Sequence, residues 1–244
     1  MTTSVDRMSY VFGVVAAGTR LPEIDEAGPA AALRLVEAAG LAAVVGTPPA
    51  HRSLGRAADL LTHDRVVAAL VEAGTPVLPM RFGAVLQSDA AVIEDVLTAR
   101  HDELRAGLAR VAGRVQFTLT VRYEQQVVLR GLLAARPDIA RLRGSQDAEN
   151  FDQRLRLGEL VVQALDEMRP ADAQAVLADL PDTADLLLHK TTAPDAVLHA
   201  AVLVERQAAA AFERGVELVA RRHHPRLQLR LAGPSAPYDF VGAG

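Results

Sequence analysis

Between Val115 and Tyr123 the chain alternates without a break. Val115, Phe117, Leu119, Val121 and Tyr123 are apolar, and Gln116, Thr118, Thr120 and Arg122 between them are polar. A strand sends successive side chains to opposite faces, so a period of two calls for a sheet with one buried face. The remainder of the C-terminal half fits around that strand. Residues from about Phe151 to Met168 read as a helix, with a further short helix before Pro181. Two strands, 184–191 and 197–204, are joined by a turn over Thr192 to Asp195 and read as a hairpin. Glu205 to Arg222 is helical, with Ala208, Phe212, Val216 and Val219 on one stripe, and Leu227, Leu229 and Leu231 alternate in a last strand. From Val115 onward the order is β-α-β-β-α-β, the split βαβ or ferredoxin-like pattern, in which helices cover one face of an antiparallel sheet. The polar stretch from Pro137 to Asn150 is expected to be a mobile connection into the first helix.

The part before this strand makes a second α+β unit. An apolar strand is expected over Met8 to Val15, closed by Gly18, then a loop from Pro22 to Pro29 and a short helix over Ala31 to Ala39 stopped by Gly40. With a buried strand at Leu41 to Val45, these give two βα-like units. Arg56 to Ala73 carries Leu60, Val67, Leu70 and Val71 at helical spacing and ends at Gly74 and Pro76. The segment Pro76-Val77-Leu78-Pro79-Met80-Arg81-Phe82-Gly83 reads as an edge strand or a shaped loop, because proline has no backbone donor to give a central strand. Ser88 is placed to cap one long helix running to Val111, and Gly113 ends it. The fold class expected is α+β in two domains: 1–112, and a ferredoxin-like domain over 113–244 that ends in an extension.

Composition closes off several functions. Half of the 244 residues are hydrophobic and 23% are charged, as in ordinary globular chains. There is no cysteine, which removes disulfides, thiolate nucleophiles and sulfur-ligated metals. The net charge of -4 comes from interspersed acids and bases, so no basic stripe invites nucleic acid. The longest uncharged run, Ala38 to Ala50, is too short to span a membrane, and no basic-then-apolar start marks a secretory signal; a cytoplasmic location is expected. Lys190 is the only lysine, and no phosphate-binding loop occurs.

No enzyme motif stands in the chain, so no catalytic residue, metal site or cofactor is expected. His63 lies on the apolar stripe of its helix, where a hydrogen-bonded core or interface histidine is the plain reading. His223 and His224 follow Arg221 and Arg222 at a helix end, where cations complement exposed carbonyls. His189 and His199 sit on paired strands without nearby carboxylates, and Lys190 beside them reads as a solvated edge residue. Arg81, between Met80 and Phe82, is expected to be tied to a carboxylate or to carbonyls through its planar fork, holding Pro79 to Gly83 in shape. The closing run through Pro234, Pro237, Tyr238 and Phe240 either folds back onto the body or docks on a partner.

Taken together, these residues resemble the gas vesicle protein GvpL/GvpF family. The resemblance rests on Tyr10-Val11-Phe12-Gly13, Gly40-Leu41-Ala42-Ala43-Val44-Val45, His63, and the string from Pro76 through Pro79, Arg81, Phe82 and Gly83. It continues through Gly113-Arg114-Val115 and Leu203-Val204-Glu205-Arg206, and closes on Gly233-Pro234 with Pro237-Tyr238-Asp239-Phe240. Ala84 departs from a common Thr, and Ser235-Ala236 from a more aromatic pair. The resemblance implies a non-enzymatic accessory protein of gas vesicles, with two α+β domains, a location at the gas vesicle, and as partners the small hydrophobic shell protein and other accessory proteins. Neither nucleic acid nor membrane is implied. Binding of the shell subunit is expected chiefly through apolar surface of the first domain. The rival expectation is a ferredoxin-like module that senses a small molecule or regulates, which is fold analogy alone.

Overall fold

Strand β1 (Ser9–Ala16) is buried along all but its last residue, and such a strand must be sheeted on both sides. It pairs antiparallel with β3 (Leu41–Gly46) and, across its other edge, with two short pieces, β4 (Leu78–Pro79) and β5 (Val85–Leu86). Strand β2 (Arg34–Ala38) pairs antiparallel with β3, so the first sheet runs β2-β3-β1-β4 with β5 also on β1. The computed structural model describes residues 8–24, 30, 32–48, 54–144, 151–183 and 185–241.

Strand β2 corrects the helix expected over Ala31 to Ala39, and with it the pair of βα units. Ala38 faces Leu41 across a two-residue turn in which Ala39 and Gly40 have φ of 50° and 83°. Two consecutive positive φ values make the tight hairpin turn whose twist matches paired strands. Gly40 is therefore a hairpin glycine and not a helix stop, and Ala39 shares its unusual conformation.

Helix α1 (Ala57–Glu72) begins where Asp59 accepts from the Arg56 backbone N–H, and it buries His63, Val66, Val67, Leu70 and Val71. The long helix expected from Ser88 to Val111 is interrupted. Ser88 caps it as expected, accepting from the Ala91 N–H, but α2 (Asp89–Ala91) passes at once into a π-helical stretch, Val92–Thr98, closed by Ala99 N–H to Glu94 C=O at 3.1 Å. Arg100 then leaves helical geometry and α3 (His101–Val111) starts afresh. Local wide turns of this kind shift which residues face the core without ending the segment.

The second sheet runs in the order β7 (Asp185–Leu188), β8 (Ala196–Glu205), β6 (Arg114–Tyr123), β9 (Leu227–Ser235). Strand β6 (Arg114–Tyr123) is the alternating strand of the sequence, with its apolar set buried. Its partners run antiparallel. Tyr123 N–H donates to Asp195 C=O, and Arg206 N–H donates to Gly113 C=O at the other end of β8 (Ala196–Glu205); Glu124 N–H reaches Arg226 C=O at the start of β9 (Leu227–Ser235). Edge strand β7 (Asp185–Leu188) pairs with β8. The expected strand residue Ala184 and the connection residues 145–150 lie outside the described residues, but α5 (Pro137–Gly144) puts helix where the mobile connection was expected to begin. Helix α4 (Gln125–Ala135) occupies a stretch to which the sequence pattern assigned no element. The two helices expected before Pro181 are one, α6 (Phe151–Asp179), which absorbs Pro170. Helix α7 (Ala209–His223) lays Phe212 against Phe117 of β6, with ring centres 5.3 Å apart. The fold is therefore mixed α+β with two antiparallel sheets.

The chain groups into two compact units. Residues up to Gln116, 203–206 and those from Pro234 onward form one, and Phe117–Val202 with Gln207–Gly233 form the other. The closing extension thus belongs to the first unit, because Phe240 is buried there and Asp239 is held by Gln116.

Candidate functional site

The residues that stand out in the sequence converge in the first unit. Gly13 of β1 lies opposite Pro79 of β4; a Cβ at Gly13 would stand 2.8 Å from the Leu78 carbonyl oxygen and 2.9 Å from a Val77 methyl. Only glycine allows so close an approach. One residue earlier β1 bulges at Phe12, whose carbonyl accepts from Met80 N–H at 2.8 Å. β4 is thereby pinned to β1, and the chain beyond it turns at Gly83, φ 89°, whose N–H reaches the Tyr10 hydroxyl.

His63 comes up from α1 into the middle of these rings and is 2% exposed. It stacks on Phe12 with centroids 5.4 Å apart, meets Phe82 edge-on at 6.0 Å and Tyr10 at 5.7 Å, and has Tyr238 of the closing segment at 6.4 Å. Both its nitrogens are engaged. Nε2 lies 3.1 Å from Met80 C=O, which can only accept, so Nε2 carries the proton. Nδ1 is then the acceptor for Tyr10 OH at 2.8 Å, and Tyr10 oxygen receives Gly83 N–H at 3.3 Å. A single imidazole thus links β1, α1 and the turn after β4. Burial pushes the His63 pKa below the ordinary imidazole value and the Tyr10 phenol above its own. A neutral histidine bonded on both sides is a brace, with no free nitrogen for base catalysis.

The closing segment fastens onto the same unit. Asp239 N–H donates to Gln116 Oε1 at 3.0 Å, and Gln116 Nε2 donates back to the Asp239 carboxylate. Arg110 lies over the Phe240 ring, 5.1 Å from its centre, and burial raises the Tyr238 phenol pKa. Of the two outcomes the sequence left open for this run, the structure has it folded back. His63, Pro79, Phe82, Gly83 and Tyr238 therefore gather at one place. Pro237 and Phe240 are buried in the adjoining strap, and Pro234 is exposed near the end of β9.

Arg81 does not do what the sequence suggested. Its side chain is exposed, and among the described residues no carboxylate or carbonyl holds its guanidinium. The turn is shaped instead by Ala84 N–H to Arg81 C=O and by the His63 and Tyr10 bonds. Arg81→Lys should accordingly change unfolding free energy by less than about 0.5 kcal/mol, as checked by denaturant titration.

Elsewhere, His189 and His199 do approach, with ring centres 5.1 Å apart, and Thr120 Oγ1 is 3.2 Å from His199 Nδ1. No group of three metal-ligating side chains forms among the described residues. Lys190 is exposed, and His223 pairs with Asp179 at 2.9 Å beside Arg222, rather than capping by charge alone. No described helix is long and apolar enough to cross a membrane. The second unit also carries an apolar groove that the sequence pattern does not predict. Helices α4 and α6 enclose an apolar groove of 560 Å³ lined by Val128, Leu129, Leu132 and Leu133 on one side and Val161 and Leu165 on the other. Its signal is present in the Val-Val-Leu and Leu-Leu spacing of α4, which follows directly on the more conspicuous alternation of β6.

Comparison with known proteins covers nearly the whole chain. Gas vesicle protein F of Streptomyces sp. (strain CB03234) is 29% identical over 244 residues, spanning 96% of this chain and 99% of that protein. Gas vesicle protein L of the same organism is also 29% identical, over 98% of this chain and 94% of its own length. In fold, the chain resembles the crystal structure of GvpF from Anabaena sp. PCC7120 with a TM-score of 0.76 at 19% identity, covering 98% of this chain and 99% of that one. Residues 8–242 match the sequence profile of the family described as gas vesicle synthesis protein GvpL/GvpF, and the chain belongs to that family.

Proposed function

We propose that this protein is a non-enzymatic accessory factor of gas vesicles that assists shell assembly by binding the hydrophobic shell subunit, in concert with other accessory proteins. Family membership across residues 8–242 carries the reading. The α4–α6 groove supports it physically. Among the described lining residues only Arg154 and Asp195 are charged, and Leu129 at the rim is exposed, so the occupant that fits is the apolar face of a helix. A subunit that must be kept from aggregating before it joins a shell offers such a face.

We further propose a ferredoxin-like second domain after a first α+β domain, with the boundary near Gly113. The order β7-β8-β6-β9 supports this, since it places the first and third strands of the β-α-β-β-α-β series at the centre of the sheet. The groove also has the size of a small-molecule pocket, which favours the sensing module as the second reading.

The test uses the full chain, because the first unit includes residues from both ends of the sequence. Wild type should retain purified shell subunit in pull-downs at low and high salt, as an apolar interface does. Leu129→Asp should lose it. Loss with Leu60→Asp on α1, while Leu129→Asp binds normally, would move the surface to the first domain. Failure of the folded wild type to bind, together with stabilisation by a metabolite in a thermal-shift screen, would favour the sensing module.

A further inference from the structure

The first four turns of α6 are strangely bare for a helix in a folded chain. From Phe151 to Gln163 no residue is buried; burial begins at Ala164 and Leu165. Yet this stretch is not polar. Phe151 is 70% exposed, Leu155 54% and Val162 41%. With Gly158 and Leu165 they fall at 151, 155, 158, 162 and 165, alternating steps of four and three that set them on one stripe of the helix. Among the described residues, a shallow hollow along this side is lined by α6 alone, and no other described element covers it. A Cβ at Gly158 would meet nothing within 4 Å, although glycine inside a helix is costly compared with alanine. Such a site gains from glycine when another backbone comes close.

We propose that this stripe is a self-association surface, on which α6 of a second copy of this chain lies parallel and in register. The charges flanking the stripe select that partner and that orientation. Taking Leu155 and Val162 as the first core position of each heptad, Arg154 precedes the seam and Glu159 follows it. In a parallel pair these two flanking positions, five residues apart, face each other across the interface. Arg154 would meet Glu159 of the partner subunit, and the two-fold axis repeats the contact with roles exchanged. In an antiparallel pair the acidic flank, Asp152, Glu159 and Asp166, would face its own copy. Neither Arg154 nor Glu159 has an ion-pair partner among the described residues, so both are free to serve. Leu155 and Val162 then stack on their counterparts, and Gly158 lets the helices close between them. Phe151 caps one end, and Leu165, already buried, marks where the seam enters the fold. Gly158 and Val162 also border the α4–α6 groove, so pairing of two copies and occupation of the groove compete.

The absence of cysteine makes the test clean. In a Val162→Cys variant under mild oxidation, any disulfide must join residue 162 of two copies. A parallel in-register pair should cross-link efficiently, and Arg156→Cys, placed away from the seam, should not. Sedimentation of the untagged full chain should show a dimer that dissociates on dilution. Leu155→Glu should weaken it about tenfold or more without unfolding a chain in which that residue is already in solvent. Arg154→Glu should also weaken it, and adding Glu159→Arg should restore it. A wild type that stays monomeric at all concentrations, a dimer indifferent to Leu155→Glu, or equal cross-linking at 156 and 162 would each overturn the proposal.

Discussion

Replacing His63 with alanine should lower the free energy of unfolding by about 3 to 5 kcal/mol. Two effects add. The substitution empties a fully enclosed ring site between Phe12, Phe82 and Tyr10, and it leaves Met80 C=O and Tyr10 OH without their partner. His63→Phe separates them, since it fills the space but supplies neither donor nor acceptor; it should cost about 1 to 3 kcal/mol, the range for stranded buried polar groups. Denaturant midpoints of the three proteins read both terms. The histidine also gives stability a pH dependence of known sign. Burial lowers the His63 pKa from 6.5 in the folded chain, so near and below that pH the unfolded chain binds more protons than the native one. Stability is therefore fully present above the ordinary imidazole pKa and falls as pH drops through it. The melting temperature of wild type should decline between pH 7.5 and 5.5 more than that of His63→Phe; equal declines would mean that His63 is not held neutral.

This brace was only half legible in the sequence. His63 stands on an apolar helical stripe, and that periodicity is enough to bury it. Its partners are a carbonyl after β4 and a phenol on β1, 17 and 53 residues away, and no local pattern encodes such distances. Arg81 failed for the related reason. An arginine beside prolines and an aromatic looks anchored, but whether a carboxylate waits for it depends on which elements pack nearby, and the turn is held by backbone and imidazole bonds instead. Strand β6 was legible because a period of two over nine residues has no helical counterpart, whereas Ala31 to Ala39 was not. A five-residue strand ending in Ala-Gly matches a short helix with a glycine stop equally well, and only pairing with β3 decides between them. The interruption of the long helix after Ser88 arises from wide turns and from Arg100, with no glycine or proline to announce it.

Gly13→Ala should cost about 1 to 3 kcal/mol by overpacking alone, and more where the damage spreads. The new Cβ would stand 2.8 Å from the Leu78 carbonyl oxygen, 2.9 Å from Val77 Cγ2 and 3.3 Å from Pro79 Cα. Two of those three are backbone atoms, so no side-chain rotation relieves the clash and β4 itself must move away from β1. Met80 comes directly after β4, and its N–H and C=O are the groups bonded to Phe12 and His63. Displacing β4 should thus slacken the histidine brace from the other side. The two substitutions then act on one network, and Gly13→Ala combined with His63→Ala should cost less than the sum of the separate losses by roughly 0.5 to 3 kcal/mol. Gly131→Ala is the control. It lies within α4, a Cβ there meets nothing within 4 Å, and alanine is the better helix former, so this change should stabilise by up to about 1 kcal/mol. Strict additivity of Gly13→Ala and His63→Ala, measured by the same denaturant titration, would show that β4 reaches its place without the close approach to β1 and that the imidazole brace stands independently of it.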